Sequence, residues 1–223
     1  MIPHHFFLLT ALLGSAFPIL AEETPEDEGE QKPKAGHSHQ GEAFNQGPRH
    51  SARPIKGTGD ISFSIQCGWK DGQQFFNQGI GQLHGFWYYE AERTFRQIAA
   101  KDPDCAMAYW GMAMANWENE KRAKAFIKKA TGLQEKASER NQRYIAAQAN
   151  YLDGDPKDAK KRKQELIDDL EGIIQDYPSD LEARAFLCVR LWQFGRSGLP
   201  IHSHQAVDAI LQQIFAVNPM HPA

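Results

Sequence analysis

Residues Phe86–Ala115 read FWYYEAERTFRQIAAKDPDCAMAYWGMAMA, and the spacing inside this stretch decides the fold. Ala91, Phe95 and Ile98 recur at steps of four and three, and Pro103 follows five residues later. Side chains three and four apart share one face of a helix, and a proline, lacking an N–H, ends it. The same offsets return at Leu166, Leu170, Ile173 and Pro178, and again at Val207, Leu211, Ile214 and Pro219. Each run therefore reads as the second helix of a helix pair.

The first helices obey a different rule, an aromatic or large residue followed by small ones three and four later. Phe75 with Gly79 fits the first pair, Tyr109 with Met112 and Ala113 the second, and Leu187 with Cys188 the fourth. Ser138–Leu152 supplies the third, with either Tyr144 or Ile145 at the aromatic position. Two helices approach closely only where one presents a small residue, so Gly79, Ala91 and Ala113 read as notches and Phe95, Leu170 and Leu211 as the knobs that fill them. The separations of the three prolines fit a 34-residue unit carrying about seven extra residues in places, and loops absorb such length at little cost. The insertions are placed at Gly154–Lys163 and Gly195–Ser203.

Outside this periodic region the composition changes. Phe6 to Leu20 is a short apolar run ending at Ala21, which reads as a secretory signal peptide over residues 1–21, exporting the chain. Gly14, Ser15 and Pro18 interrupt it, and it falls short of the roughly twenty apolar residues of a membrane span. Residues 22–70 are rich in Glu, Pro, Gly, Gln, Ser and His and are expected to form a disordered polar linker. Residues 71–223 form the expected helical repeat domain. Lys and Arg number 25 against 28 Asp and Glu, with no basic stripe between aromatics, which argues against a nucleic-acid partner.

The repeat pattern resembles the tetratricopeptide-repeat (TPR) family, whose 34-residue unit carries W-x-x-L-G-x-x-Y, A-x-x-x-F and P. The chain also looks like a group of exported bacterial TPR proteins that share His-Ser-His-x-Gly-Glu-Ala-Phe-x-x-Gly-Pro-Arg, here His37–Arg49, and Asn-Pro-Met-His-Pro, here Asn218–Pro222. The resemblance implies an all-α, right-handed solenoid of three to four antiparallel helix pairs. It also implies that such a chain continues past Pro222 into a further helix, so either the chain is C-terminally truncated or something else covers the open face of Val207, Leu211 and Ile214. The group carries no established reaction.

In the register of this family, first helices line a concave groove. That register carries over to Phe76, Ile80, Leu83 and His84 in the first repeat, to Met107, Trp110, Met114 and Trp117 in the second, and to Ala185, Val189, Trp192 and Gln193 in the fourth. An aromatic, methionine-containing groove suits an extended peptide or a partner helix. The competing reading makes Trp110, Trp117 and Trp192 ordinary core.

Other chemistry is sparse. His-Ser-His occurs at His37–His39 and at His202–His204, and imidazole pairs bind copper, nickel or zinc. No carboxylate or thiol completes a ligand set nearby, so solvated histidines are the plainer reading and no cofactor is expected. Cys67, Cys105 and Cys188 lie far apart in sequence, without C-x-x-C, and read as inert thiols. G-x-S-x-G, H-E-x-x-H and phosphate-binding glycine loops are absent, so the expected role is non-catalytic binding of a protein or peptide, with metal binding through the histidine segments as the alternative.

Overall fold

A computed structural model of the chain describes residues 38, 40–195 and 204–223. The expected signal peptide, His37, His39, His202 and most of the second insertion lie outside them. Eight α-helices follow one another: α1 Gly72–His84, α2 Tyr88–Lys101, α3 Ala106–Ala115, α4 Glu120–Gly132, α5 Glu139–Asp153, α6 Ala159–Asp176, α7 Leu181–Gly195 and α8 His204–Val217. No strand occurs among the described residues, and none of these helices is long and apolar enough to cross a membrane.

Consecutive helices pack against each other along the whole chain, and α1 and α5 also pack on α3. The close approaches have the cause expected from sequence. A Cβ at Gly79 would lie 2.6 Å from the Phe95 ring, and one at Gly111 would lie 2.5 Å from the same ring. Phe95 of α2 therefore fills two notches at once, one on α1 and one on α3. An alanine at either glycine would force that buried ring to move.

The odd-numbered helices share a layer of rings. Phe76, Trp110 and Tyr144 recur every 34 residues, with ring centroids 6.4 Å apart for the first two and 5.7 Å for the last two. Phe186 of α7 joins 5.6 Å from Trp110. The Trp110 indole N–H donates to the Tyr144 carbonyl at 3.1 Å, so this tryptophan is both buried and satisfied. The 34-residue step from Phe75 and Tyr109 falls on Arg143, so neither Tyr144 nor Ile145 holds that position, and Tyr144 is in register with Phe76 and Trp110 instead.

Two expectations need correction. Residues 159–163, assigned to an inserted loop, are the first turn of α6, and the connection from α5 is only a bend and a 3-10 turn at Pro156–Asp158. The larger correction concerns residues 40–70, expected to be a disordered linker. Apart from a 3-10 turn at Glu42–Asn45 they form no regular structure, yet they run over the helices as a strap and bury Phe44, Ile61 and Phe63.

Each anchor of the strap has a physical partner. Phe44 meets Phe126 edge-on at 5.1 Å, with the Arg96 guanidinium 5.0 Å and the Lys129 ammonium 5.2 Å from its ring centroid. Arg96 donates to the Phe44 and Gln46 carbonyls and Arg122 to those of Ala43 and Gln46, which fixes a segment that has no ladder of its own. Gly47, at φ 87°, is needed there, because a Cβ would lie 2.7 Å from a Glu92 carboxylate oxygen. Further on, the Thr58 carbonyl lies so near α1 that a Cβ at Gly81 would be 1.9 Å away. Phe63 then inserts between Phe76, Trp110 and Tyr144 at 5.3, 5.9 and 5.0 Å, with the Arg140 guanidinium 4.4 Å over its face. Its exposure is 0%. The Ser64 carbonyl accepts hydrogen bonds from Arg140 and Asn141 at 2.9 and 3.0 Å. The face expected to receive a peptide already holds one, a segment of its own chain.

Candidate functional site

The fate of the groove residues follows from the strap. Phe76, Ile80, Leu83, His84, Met107, Trp110 and Met114 are buried, and Val189 is half-buried. For Trp110 the reading as core holds, since Phe63, Tyr144 and Phe186 cover its ring. Trp117, just after α3, and Trp192, near the end of α7, are exposed.

Phe86 and Tyr88 link these two tryptophans. Phe86, Trp87 and Tyr89, in and just after the turn from α1 to α2, are all more than half exposed. Phe86 lies 6.1 Å from Trp192 and 6.2 Å from Tyr88, and Tyr88 lies 6.2 Å from Trp117. The turn itself is strained. The Trp87 N–H donates to the Gln82 carbonyl and the Phe86 N–H to the Leu83 carbonyl, the bonding of a Schellman helix end, which places Phe86 at the left-handed position usually taken by glycine. Its φ is 59°, an outlier for a bulky side chain, and its ring is 54% exposed.

Behind this aromatic rim is a small cavity lined in part by Leu83, Tyr88, Met114, Trp117, Val189 and Arg190. Arg190 is buried, and its guanidinium donates to Gln193 Oε1 at 2.8 Å and to Met114 Sδ at 3.6 Å. No carboxylate among the described residues forms an ion pair with it, and burial pushes its pKa below the ordinary guanidinium value. A desolvated cation without a counter-charge favours an anionic group beside it.

A second cluster starts from the last residue of α1, beside the same turn, and His84 also lines the small cavity. Asp180 caps α7, its Oδ1 accepting from the amides of Glu182 and Ala183 at 3.1 and 3.3 Å, and this sets Glu182 in the first helical turn, where the helix dipole favours an anion. Glu182 Oε2 is 2.7 Å from His84 Nε2, and its Oε1 is 2.9 Å from His221 Nε2. All three side chains are buried. Burial alone would raise the Glu182 carboxyl, but the hydrogen bonds and charge of His221 and His84 outweigh it and hold it at about 2. His84 was assigned to the groove, whereas its imidazole turns inward. No fixed spacing joins His84, Glu182 and His221, so only tertiary folding reveals the set.

Of the histidines proposed from sequence, the described residues include one. His204 is exposed at the start of α8, and the other three lie outside the described residues. Cys67 and Cys105, distant in sequence, do meet, sharing a neighbourhood with Asp102 in which all three donor atoms lie within 4.8 Å of one another. Burial pushes both thiols up, and Cys188 likewise to about 11, so none is primed as a thiolate.

The fold and these sites define an all-helical protein with an internally strapped inner layer, an aromatic end and a buried His–Glu–His cluster. No family model, no curated protein and no solved structure matches the chain.

Proposed function

We propose that the chain is a non-catalytic interaction scaffold, a right-handed TPR-like solenoid of antiparallel helix pairs, exported from a bacterial cell, that binds a protein partner through its aromatic end. The 34-residue recurrence of Phe76, Trp110 and Tyr144, with the packing of α1 and α5 on α3, supports the solenoid. The apolar run from Phe6 to Leu20 supports export. The binding surface differs from the groove inferred from sequence, because Phe63 of the strap fills the inner face at Trp110.

The observation that carries the reading is the row of rings Trp192, Phe86, Tyr88 and Trp117, in which Phe86, Trp117 and Trp192 are exposed. Large aromatics dominate binding energy at protein interfaces, and a contiguous apolar patch left open on a folded chain marks such a surface. Arg190 behind the rim gives the partner a chemical character, an apolar or aromatic side chain followed by a carboxylate. The strained Phe86 supports the same surface, since the strain holds a ring outward where glycine would relax the turn.

The test places a photo-crosslinking amino acid at Trp192, at Phe86 and, as a control, at the exposed Lys128, in the full chain in its native host. One partner captured from both aromatic positions and not from Lys128 is the expected result. Its purified form should then bind the wild type and lose at least about tenfold affinity to Trp192→Ala, a cost of about 1.4 kcal/mol. Identical capture from all three positions, or none, sinks the proposal.

A further inference from the structure

We propose that His84, Glu182 and His221 form a binding site for one first-row divalent transition-metal ion of the zinc type. Two imidazole nitrogens and one carboxylate are the donor set that zinc accepts when three protein ligands leave a fourth position open. Calcium and magnesium, which take oxygen ligands, are not matched by it. The geometry supplies the rest. Both histidines aim the same nitrogen, Nε2, at the two oxygens of one carboxylate, and the three donor atoms all lie within 4.8 Å of one another. The two rings are 5.3 Å apart at 57°, converging on one point without stacking.

The surroundings suit an ion. Phe186 covers the His84 ring at 4.9 Å and closes the apolar side. On the opposite side is a cavity of about 260 Å³, lined by Ser62, Arg140, Asp180, Asn218 and both Glu182 and His221. A metal held by the three side chains therefore has a water-accessible fourth position and a route of entry. The donors also come from three distant places: the last residue of α1, the first turn of α7 and the turn after α8. An ion there ties the C-terminal turn, which also holds the strap through Asn218 to the Asp60 carbonyl at 2.6 Å, to both ends of the helical array.

Without metal the same groups form a hydrogen-bonded latch. The Ala223 amide donates to His221 Nδ1 at 3.1 Å, which leaves the ring proton on Nε2, facing Glu182. A metal at Nε2 requires the other tautomer. The Nε2 proton goes to solvent, Nδ1 takes one up, and the Ala223 amide must release its acceptor. Metal uptake is thus coupled to movement of the last residues.

The test titrates the purified full chain with Co²⁺ and then Zn²⁺. A parallel variant has His37, His39, His202 and His204 changed to serine, which removes binding by the His-Ser-His segments. One equivalent of Co²⁺ giving visible ligand-field bands that Zn²⁺ bleaches, in both proteins, is the expected result. Zinc should also raise the Tm of both, since it binds only the folded chain. His221→Gln and Glu182→Gln should each weaken binding by at least about tenfold while retaining the helical circular dichroism. Absence of the bands from the serine variant overturns the site, and so does full-strength binding in a folded His221→Gln protein. Should the single variants unfold, the serine variant and its zinc-dependent Tm still decide.

Discussion

Two buried glutamates organise this molecule, and they are held differently. Glu92 on α2 is met by arginines: Arg96 at 2.7 Å and Arg122, with the Asn116 amide at 3.1 Å. Glu182 on α7 is met by two histidines. Arginine stays charged at every accessible pH and its fork reaches several acceptors, so Arg96 and Arg122 also grip the strap carbonyls at residues 43–46. Histidine can lose its proton or exchange it for a metal. The first anchorage is permanent, while the second is exchangeable, and the strap runs between them.

The comparison predicts an order of effects. Glu92→Gln should cost most, about 3–5 kcal/mol, because it strands two desolvated guanidinium groups, and urea unfolding measures it. Glu182→Gln, whose amide still meets the two imidazoles, should cost about 1–3 kcal/mol at neutral pH. If Glu182→Gln proves the more damaging, the distinction fails. Phe63→Ala should fall near 3–4 kcal/mol, as for a fully buried aromatic, and should expose Trp110 to quenchers.

Acid sharpens the contrast further. The Glu182 carboxyl is held at about 2 against an ordinary value of 4.5. Its folded pKa is the lower, so the unfolded chain takes the proton first as pH falls. The stabilisation is complete above about pH 4.5 and is lost as pH drops towards about 2. The stability gap between wild type and Glu182→Gln, followed by denaturation from about pH 6 downward, should close over that window. A gap that stays constant would remove Glu182 from the acid response.

Phe86→Gly gives the smallest effect and one of opposite sign. Relief of the left-handed strain should raise stability by about 1 kcal/mol while weakening partner capture at the aromatic end. A loss of stability instead would mean that the ring packs more than its exposure implies.

What the sequence made legible was whatever repeats. Ala91, Phe95 and Ile98 announce α2 because a helix writes its period into neighbouring residues, and Gly79 announces a close approach because nothing larger fits. The strap wrote no helical period. Phe44 stands alone, and Ile61, Phe63 and Ile65 alternate with Ser62 and Ser64 in a run too short to name its partner, since the surface that covers them exists only once α1 to α5 have assembled. The segments His37–Arg49 and Asn218–Pro222 are legible as candidate motifs, but their work is not. Phe44 and Gly47 seat the strap on α2 and α4, and His221 reaches Glu182. Glu182 itself, one acid among many on a helical pattern, carried no local signal at all.

The measurement that bears most directly on the account is hydroxyl-radical footprinting of the full chain, read tryptophan by tryptophan by mass spectrometry. Trp87 and Trp192, 57% and 49% exposed, should oxidise at least about tenfold faster than Trp110, which is 1% exposed beneath the Phe63 of the strap. Oxidation of Trp110 at the rate of Trp192 would contradict it, because the strap would then not fill the inner face and the groove there would be open to a partner.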